Sequence, residues 1–358
     1  MPETRNIYDT EELLGVFVEL RPVRRFWRRW FPGSITSDRK EIFWNTIFGN
    51  RLLAPLVLPT VPGVPTWGAR ERVESVAPAY LKPKDALDAS EFVVRRAGLG
   101  ELGQLTPLTQ EQRYNATVAA ILQHHWDIIE RWEEWACSQI LLNGKITLEN
   151  DGSYPEREVD FRRHADNTVT LAADAARVWS TAGADIVSDL ETWNNRMARA
   201  SFGGACQDIL FGGDAWDSFR KNPSALKLLD TQIRGTDANF NIGVGDGEPV
   251  QFRGRFSGNF NLWTYADQYE TGSIGLTGAT PVDYMNSKDI LMLAAPARLQ
   301  SSMAYGAIQD FDAQLRPTPI FPKMWRENDP SATVIMTQSA PLPVLVHPNG
   351  TLKARVLA

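Results

Sequence analysis

Residues 109–144 read TQEQRYNATVAAILQHHWDIIERWEEWACSQILLNG, and they predict one long helix around which the fold is organised. Its apolar positions recur at alternating intervals of four and three residues, as one face of an α-helix requires. These positions are Tyr114, Val118, Ile121, His125, Ile128, Trp132, Trp135, Gln139 and Leu142. Thr109 and Gln112 form a capping box at the start, and Gly144 stops the helix. A helix over 109–143 would be roughly 50 Å long, which favours a spine over a member of a packed bundle.

Polar residues on this helix carry no recognisable chemistry. His125 and Gln139 fall on the apolar stripe, where partly buried hydrogen-bonding roles are favoured over ligand roles. His124 and His125 cannot face the same way on a helix, and no third histidine is spaced to join them, so no zinc site is expected. Glu133 and Glu134 are assigned to a solvated helix face.

Before the helix, residues 21–31 read RPVRRFWRRWF, five arginines interleaved with four aromatic residues. Such a peptide could lie at a membrane interface, bind a nucleic-acid backbone, or form an arm that anchors on a neighbouring subunit. It could also be an ordinary amphipathic helix that folds on its own core. The arm is the interpretation that we favour.

Residues 39–96 predict a long irregular hairpin. Short β-like runs alternate with breakers in this segment. The runs include Ile42, Phe43, Ile47, Phe48, Leu52, Leu53, Leu56 and Val57, and the breakers are Pro55, Pro59, Pro62, Gly63 and Pro65. Few positions could form an independent core, so we expect something outside the segment to stabilise it.

After the helix, the pattern is α+β with a mixed central sheet covered by helices. A hairpin is predicted over 145–148 and 156–161. A second helix is predicted to start near Asp185 and to end before Gly203. Its apolar residues on one face are Ile186, Leu190, Trp193 and Met197. The predicted strands are 208–211, 250–256, 260–265 and 290–293, and a short helix capped by Asp214 follows the first of them.

Composition argues against several classes of protein. A net charge of -6 excludes a uniformly basic nucleic-acid coat. Cys137 and Cys206 have no CxxC spacing and are expected to be reduced thiols. Gly243, Gly245 and Gly247 lack the lysine that a phosphate-binding loop requires. We therefore predict no catalytic residue, no metal site and no cofactor. Because the sequence has no long apolar run, we also expect no signal peptide and no membrane span.

The last sixth of the chain carries a resemblance. It contains YGAIQD at 305–310, Pro322 and Lys323 with Trp325, Asp329 with Pro330, and QSAPL at 338–342, while PAYLKPK stands at 78–84. Together with the order of elements, these motifs resemble the lambda-type major capsid protein family of tailed bacteriophages. The resemblance implies the HK-type capsid fold and a structural, non-enzymatic protein that assembles into an icosahedral head around double-stranded DNA.

The resemblance also implies a division of the chain. The arm would be 1–38, the extended loop 39–95, and the axial domain 175–300. A peripheral domain would comprise 96–174, including the spine helix, together with 301–358, which would return to complete the peripheral sheet.

The partners implied are copies of this chain in pentamers and hexamers, a portal, a possible decoration protein and packaged DNA bound without sequence specificity, but no membrane. Arm and loop would occupy the residues before the spine helix, so a separate scaffolding protein is expected. The head would be assembled in the host cytoplasm and reside in the virion. The alternatives are a cellular nanocompartment shell of the same fold, or a membrane-binding or nucleic-acid-binding protein acting through 21–31.

Contacts between subunits are assigned to the arm and the loop. Trp27, Trp30 and Phe31 would anchor on the neighbour while Arg24, Arg25, Arg28 and Arg29 pair with its carboxylates. The candidate contact residues in the loop are Tyr80, Lys82 and Lys84. Some capsids of this fold are reinforced by a lysine-to-asparagine isopeptide bond, but the lambda type tends to use a decoration protein, so we expect no covalent cross-link.

Overall fold

The computed structural model describes residues 13, 25–39, 41–48, 70–88, 110–150, 154–171, 174, 177–181, 183–225, 249–256, 260–271, 280–329 and 331–358. The predicted β-like positions at 52–57 and the three glycines at 243–247 lie outside these residues.

The spine helix is confirmed as α1, Gln110–Asn143, 34 residues long. Gly144 ends it with a left-handed φ of 71°, and its N–H donates to the carbonyl oxygen of Ile140 at 2.8 Å. A Cβ at Gly144 would lie 2.8 Å from the Cβ of Arg163, so both the conformation and the close approach favour glycine.

The predicted apolar stripe describes the first half of α1 better than the second. Tyr114, Val118 and Ile121 are buried in a cluster with Leu13 and with side chains of one three-stranded sheet. In the second half the predicted positions are only half-buried at Ile128, Trp132, Trp135 and Gln139. The fully buried positions there include Ile129, Ala136, Cys137, Ile140 and Leu141. The rest of the protein therefore buries the second half of α1 on most of its sides, and not along a single apolar stripe.

Beyond the helix, a six-stranded mixed sheet forms the largest layer, in the order β7-β18-β13-β8-β10-β9. Its strands are β7 (Thr168–Thr170), β8 (Cys206–Phe211), β9 (Val250–Phe256), β10 (Phe260–Tyr265), β13 (Asp289–Ala294) and β18 (Thr351–Arg355). Side chains alternate along β13: Ile290 and Met292 contribute to one core cluster, and Leu291 and Leu293 contribute to another. The predicted central strands are confirmed.

Two helices pack on one face of this sheet, α2 (Ile186–Arg199) and α3 (Gly213–Lys221). Asp185 caps α2 as predicted by accepting a hydrogen bond from the N–H of Ser188 at 3.2 Å. The predicted cap by Asp214 is wrong, because Gly212 occupies the N-cap and the Asp214 carboxylate instead accepts from the Ser287 hydroxyl at 2.6 Å.

The other strands form smaller sheets. One three-stranded sheet joins β1 (Gly33–Thr36), β14 (Ser301–Tyr305) and β17 (Pro341–Leu345), and a second joins β4 (Lys84–Asp88), β15 (Phe321–Asn328) and β16 (Ser331–Gln338). The hairpins are β2 (Ile42–Phe48) with β3 (Arg70–Val76), β5 (Lys145–Asn150) with β6 (Tyr154–Asp160), and β11 (Gln268–Thr271) with β12 (Thr280–Asp283). A one-turn helix, α4 (Pro296–Leu299), precedes β14.

Strands near the end of the chain pair in different sheets. Strands between 301 and 345 do join the arm strand and the loop strand, as a returning segment would. However, β18 pairs with β13 and β7 in the six-stranded sheet instead. Its buried residues Leu352 and Ala354 pack in the same cluster as α2, which explains why it leaves the other sheets.

Candidate functional site

The basic aromatic segment packs inside its own chain. Trp27–Trp30 form a single 3-10 turn, and the side chains of Trp27, Trp30 and Phe31 are each 0% exposed. They belong to the same core cluster as the second half of α1 and the strands β14 and β17. The prediction that these three aromatic residues anchor on a neighbouring subunit is therefore wrong for this conformation, because no part of them remains for a neighbour, a membrane or DNA to contact.

Glu134 of α1 holds the turn through its backbone. The N–H of Trp27 donates to Oε2 of Glu134 at 2.7 Å, and the N–H of Arg28 donates to Oε1 at 3.1 Å. These N–H groups stand at the start of a helical turn, where they have no partner within the turn itself. One carboxyl group thus satisfies two backbone donors in a buried position.

The neighbouring glutamates pair with the arginines of the turn. Nη1 of Arg28 lies 3.0 Å from Oε2 of Glu133, and the Tyr305 hydroxyl donates to the other carboxylate oxygen, Oε1, at 3.0 Å. Arg25 forms an ion pair with Glu130. The assignment of Glu133 and Glu134 to a solvated face is wrong, since they are 5% and 8% exposed beneath the turn.

Burial also changes the protonation of these acids. Desolvation raises the pKa of Glu134 to about 7, although the backbone N–H groups of the turn and Arg25 oppose the shift. Desolvation raises the pKa of Glu133 as well, against the stabilising charge of Arg28 and the Tyr305 hydrogen bond. Glu130, Glu133 and Glu134 together bind the turn by charge and by hydrogen bonds to its backbone.

Arg29 takes a different position from the other arginines of the turn. Its guanidinium carbon lies 4.0 Å from the ring centroid of Trp30 and 4.2 Å from that of Trp263. Asp208 is 3.8 Å away, and burial lowers the pKa of Arg29 while the Asp208 charge opposes that shift. Arg29 therefore joins the turn to strands β8 and β10. Arg24 lies outside the described residues.

The loop residues lie apart from this turn in sequence and contact another part of the chain. The Tyr80 hydroxyl donates to the carbonyl oxygen of Ala307 at 3.3 Å and accepts from the Gln309 amide at 3.1 Å. Lys82 is exposed, and Nζ of Lys84 lies 3.7 Å from Glu327 in a half-exposed ion pair. Unlike the aromatic residues of the turn, these lysines keep surface that a second molecule could contact.

The hydrogen-bonding role predicted for His125 is confirmed, but the sequence did not indicate its partners. Its ring nitrogens lie 3.0 Å from the Thr337 hydroxyl and 3.1 Å from a carboxylate oxygen of Asp85. Thr337 lies on β16 and Asp85 on β4, so one helix residue joins both strands. A histidine in an otherwise apolar stripe indicates a buried hydrogen-bonding residue. The sequence does not indicate the partners of His125, because Asp85 and Thr337 are distant from it in sequence.

The described residues offer neither a metal-ligating cluster nor an accessible thiol. They contain no group of three or more histidine, cysteine or carboxylate side chains that could hold a metal ion. Both cysteines are buried, and desolvation raises the pKa of each thiol, which disfavours the nucleophilic thiolate. Over the same part of the chain, no helix is long and apolar enough to cross a membrane.

Comparison with solved structures identifies the fold. A prophage capsid protein from E. coli CFT073 superposes with a TM-score of 0.70 at 19% identity, over 98% of this chain and 99% of that one. The mature capsid of bacteriophage PhiM1 superposes with a TM-score of 0.52 at 10% identity, over 99% of this chain and 91% of that one. The α+β architecture is therefore the HK-type fold of tailed-phage capsid proteins.

Sequence comparison identifies the family. The family described as phage major capsid protein E matches residues 9–356. The major capsid protein of Escherichia phage N15 is 26% identical, over 96% of this chain and 97% of its own. That of Escherichia phage lambda is 26% identical, over 90% and 91%. The chain belongs to the phage major capsid protein E family, and it is a structural major capsid protein of a tailed phage.

Proposed function

We propose that copies of this chain associate in pentamers and hexamers to form a closed icosahedral head around double-stranded DNA. The observation that carries this proposal is the family match over residues 9–356, almost the whole chain. The contribution of each copy would be contact area, since a subunit held by several neighbours leaves slowly even when each contact is modest.

The protein is proposed to act without catalysis or a cofactor. Its family is structural, and the two buried thiols are poorly suited to nucleophilic chemistry. The proposed partners are a separate scaffolding protein during assembly, a portal, a possible decoration protein and the packaged DNA. Assembly would take place in the host cytoplasm, and the finished protein would be part of the virion.

The assignment of the arm, the loop and the two domains to ranges of the chain is also a proposal. Residues 1–38 would form the arm, 39–95 the extended loop, 96–174 with 301–358 the peripheral domain, and 175–300 the axial domain. The pairing of β18 with β13 supports moving 351–355 to the axial unit, and β7 (Thr168–Thr170), which pairs with β18, would move with it.

Contacts between copies would use loop residues that keep some accessible surface, Tyr80 half-buried and Lys82 and Lys84 exposed, rather than the buried turn. Tyr80, Lys82 and Lys84 remain the candidates, and Lys82 and Lys84 are proposed to bind without forming an isopeptide bond. Denaturing gels of mature particles test this directly. A single band at the subunit mass is expected, whereas a ladder of covalent multimers would contradict the proposal.

The assembly proposal is tested by expressing the full chain with and without its scaffolding protein and imaging the products by negative-stain electron microscopy. Closed particles of uniform size are expected when the scaffolding protein is present. Monomers that persist under every assembly condition would overturn the proposal.

A further inference from the structure

A cavity of about 250 Å³ lies between the start of the Trp27–Trp30 turn, α1 and the base of the β11–β12 hairpin. The side chains of its wall that decide its chemistry are Phe26, Arg131, Glu134, Tyr265, Asp267 and Tyr284. Sites for drug-sized ligands usually enclose about 300–1,000 Å³, so this cavity suits a smaller molecule.

Three aromatic rings of the cavity wall contact one another in a row. Phe26 stacks on Tyr265 with the ring centroids 5.1 Å apart, and Tyr265 meets Tyr284 at 6.1 Å with an interplanar angle of 81°. Rings that already pack against each other lose little freedom when a ligand binds. Aromatic surface binds alkyl groups by burial and ammonium groups by cation–π attraction. The wall therefore suits a short alkyl chain that carries a positive charge.

Asp267 gives the cavity a carboxylate that can bind such a charge. It is half-buried and accepts a hydrogen bond from the N–H of Gln268 at 2.9 Å, and within the described residues no arginine or lysine lies at ion-pair distance from it. Its charge acts inside the cavity, since desolvation and then Asp267 raise the pKa of the Tyr284 phenol. Glu134 is less available, because both of its oxygens accept N–H groups of the turn. A partly buried carboxylate attracts an incoming cation more strongly than a fully exposed one, because water screens it less.

Arg131 gives the same cavity a positive charge. Its side chain is exposed, and in the part of the chain that the structure describes no carboxylate lies at ion-pair distance from its guanidinium. A guanidinium binds a carboxylate through two parallel hydrogen bonds. Arg131 and Asp267 line one cavity without pairing with each other, so a ligand with a single charge would match only one of them. A ligand with an ammonium group and a carboxylate would match both.

We propose that this cavity binds a small zwitterion of the amino-acid class, with its ammonium group beside Asp267, its carboxylate beside Arg131 and its alkyl chain against the aromatic rings. The bound molecule would contact α1, the hairpin and Phe26 before the turn. Because it would bind the folded chain and not the unfolded chain, it would also stabilise the subunit. The site does not include the loop residues proposed for contacts between copies, so its test does not depend on shell assembly.

Calorimetric titration of the full, unassembled wild-type chain tests the proposal with probes of equal chain length. The probe 4-aminobutyrate carries both charges, n-butylammonium carries only the positive charge, and butyrate carries only the negative charge. The expected result is saturable binding of 4-aminobutyrate, about tenfold tighter than that of either singly charged probe, because each lost charge removes a charge-assisted hydrogen bond. Absence of saturable binding, or a singly charged probe that binds as tightly as 4-aminobutyrate, would overturn the proposal.

Variants then assign each end of the ligand to its residue. Asp267→Asn should weaken binding of 4-aminobutyrate about tenfold but leave butyrate binding unchanged, and Arg131→Gln should weaken it about tenfold but leave n-butylammonium binding unchanged. Glu191→Gln and Arg316→Gln are the matched controls, because they remove the same charges from exposed positions on α2 and on the loop before β15, and both should bind like wild type. Circular dichroism identifies the variants that fold. A folded Asp267→Asn or Arg131→Gln chain that binds 4-aminobutyrate like wild type would overturn the proposal.

Discussion

The backbone N–H of Trp27 donates a 2.7 Å hydrogen bond to Oε2 of Glu134, which joins the basic aromatic turn to a helix residue 107 positions later. The turn is thereby part of the folded subunit. Its residues should affect the stability of a single subunit before they affect association between subunits.

Trp27→Ala and Trp30→Ala should each destabilise the unassembled subunit by about 3–5 kcal/mol, the usual cost of removing a buried tryptophan side chain. Urea unfolding followed by circular dichroism measures this. Phe311→Ala is the control, because an exposed aromatic should change the free energy of unfolding by no more than about 0.5 kcal/mol. Tryptophan variants that unfold like wild type but fail to assemble would restore the anchoring role on a neighbour.

Glu134 should make the subunit less stable as the pH rises from 4.5 to about 7. Its pKa is raised in the fold to about 7 from 4.5, so between these values the folded chain keeps a proton that the unfolded chain has released. The free energy of unfolding should fall across this window by at most about 3 kcal/mol. Glu134→Gln should remove that part of the pH dependence. Glu191→Gln, on the exposed face of α2, should leave it intact, and a Glu134→Gln profile parallel to wild type would contradict the assignment.

Arg28 and Glu133 should show strong coupling. Arg28→Met leaves the buried Glu133 carboxylate without its cation, which should cost about 3–5 kcal/mol. The double variant Arg28→Met with Glu133→Gln should recover at least about 1 kcal/mol relative to the sum of the single changes. The exposed pair of Lys145 and Glu158, at 2.8 Å, gives the control cycle, whose coupling should be much weaker because water screens both charges. Equal coupling in both cycles would argue against a buried pair.

His125 should have the opposite pH dependence to Glu134. Desolvation lowers its pKa below 6.5 and outweighs the charge of Asp85, so the folded chain holds the ring neutral where the unfolded chain takes up a proton. The stabilising contribution is present above pH 6.5 and is lost as the pH falls. His125→Gln should reduce this acid sensitivity in unfolding experiments, while the exposed His164→Gln should not. Equal acid sensitivity in wild type and His125→Gln would rule out this role.

Local sequence patterns predict individual helices and strands better than they predict which of these elements pack against each other. Periodicity and capping residues sufficed for α1 and α2, because those signals depend on residues within a few positions of each other. The position of β18 could not be predicted in the same way, since strand pairing over long sequence distances leaves no local trace. The resemblance at 305–310 and 338–342 supplied the overall fold instead.

The candidate site shows the same limit. Five arginines among aromatic residues indicate a segment that binds something, but the sequence does not say whether the partner is the same chain or another copy. The sequence favours a solvated position for Glu133 and Glu134, because carboxylates rarely become buried without partners. Their partners, Arg28 and the N–H of Trp27, lie more than 100 positions away in sequence, as the hydrogen bonds show.

Cryo-electron microscopy of particles assembled from the full chain tests the central claim most directly. The account predicts closed icosahedral shells with five copies around some axes and six around others, and with Trp27 of each copy seated on its own Glu134. Open sheets or irregular aggregates under conditions where the scaffolding protein is present would contradict it.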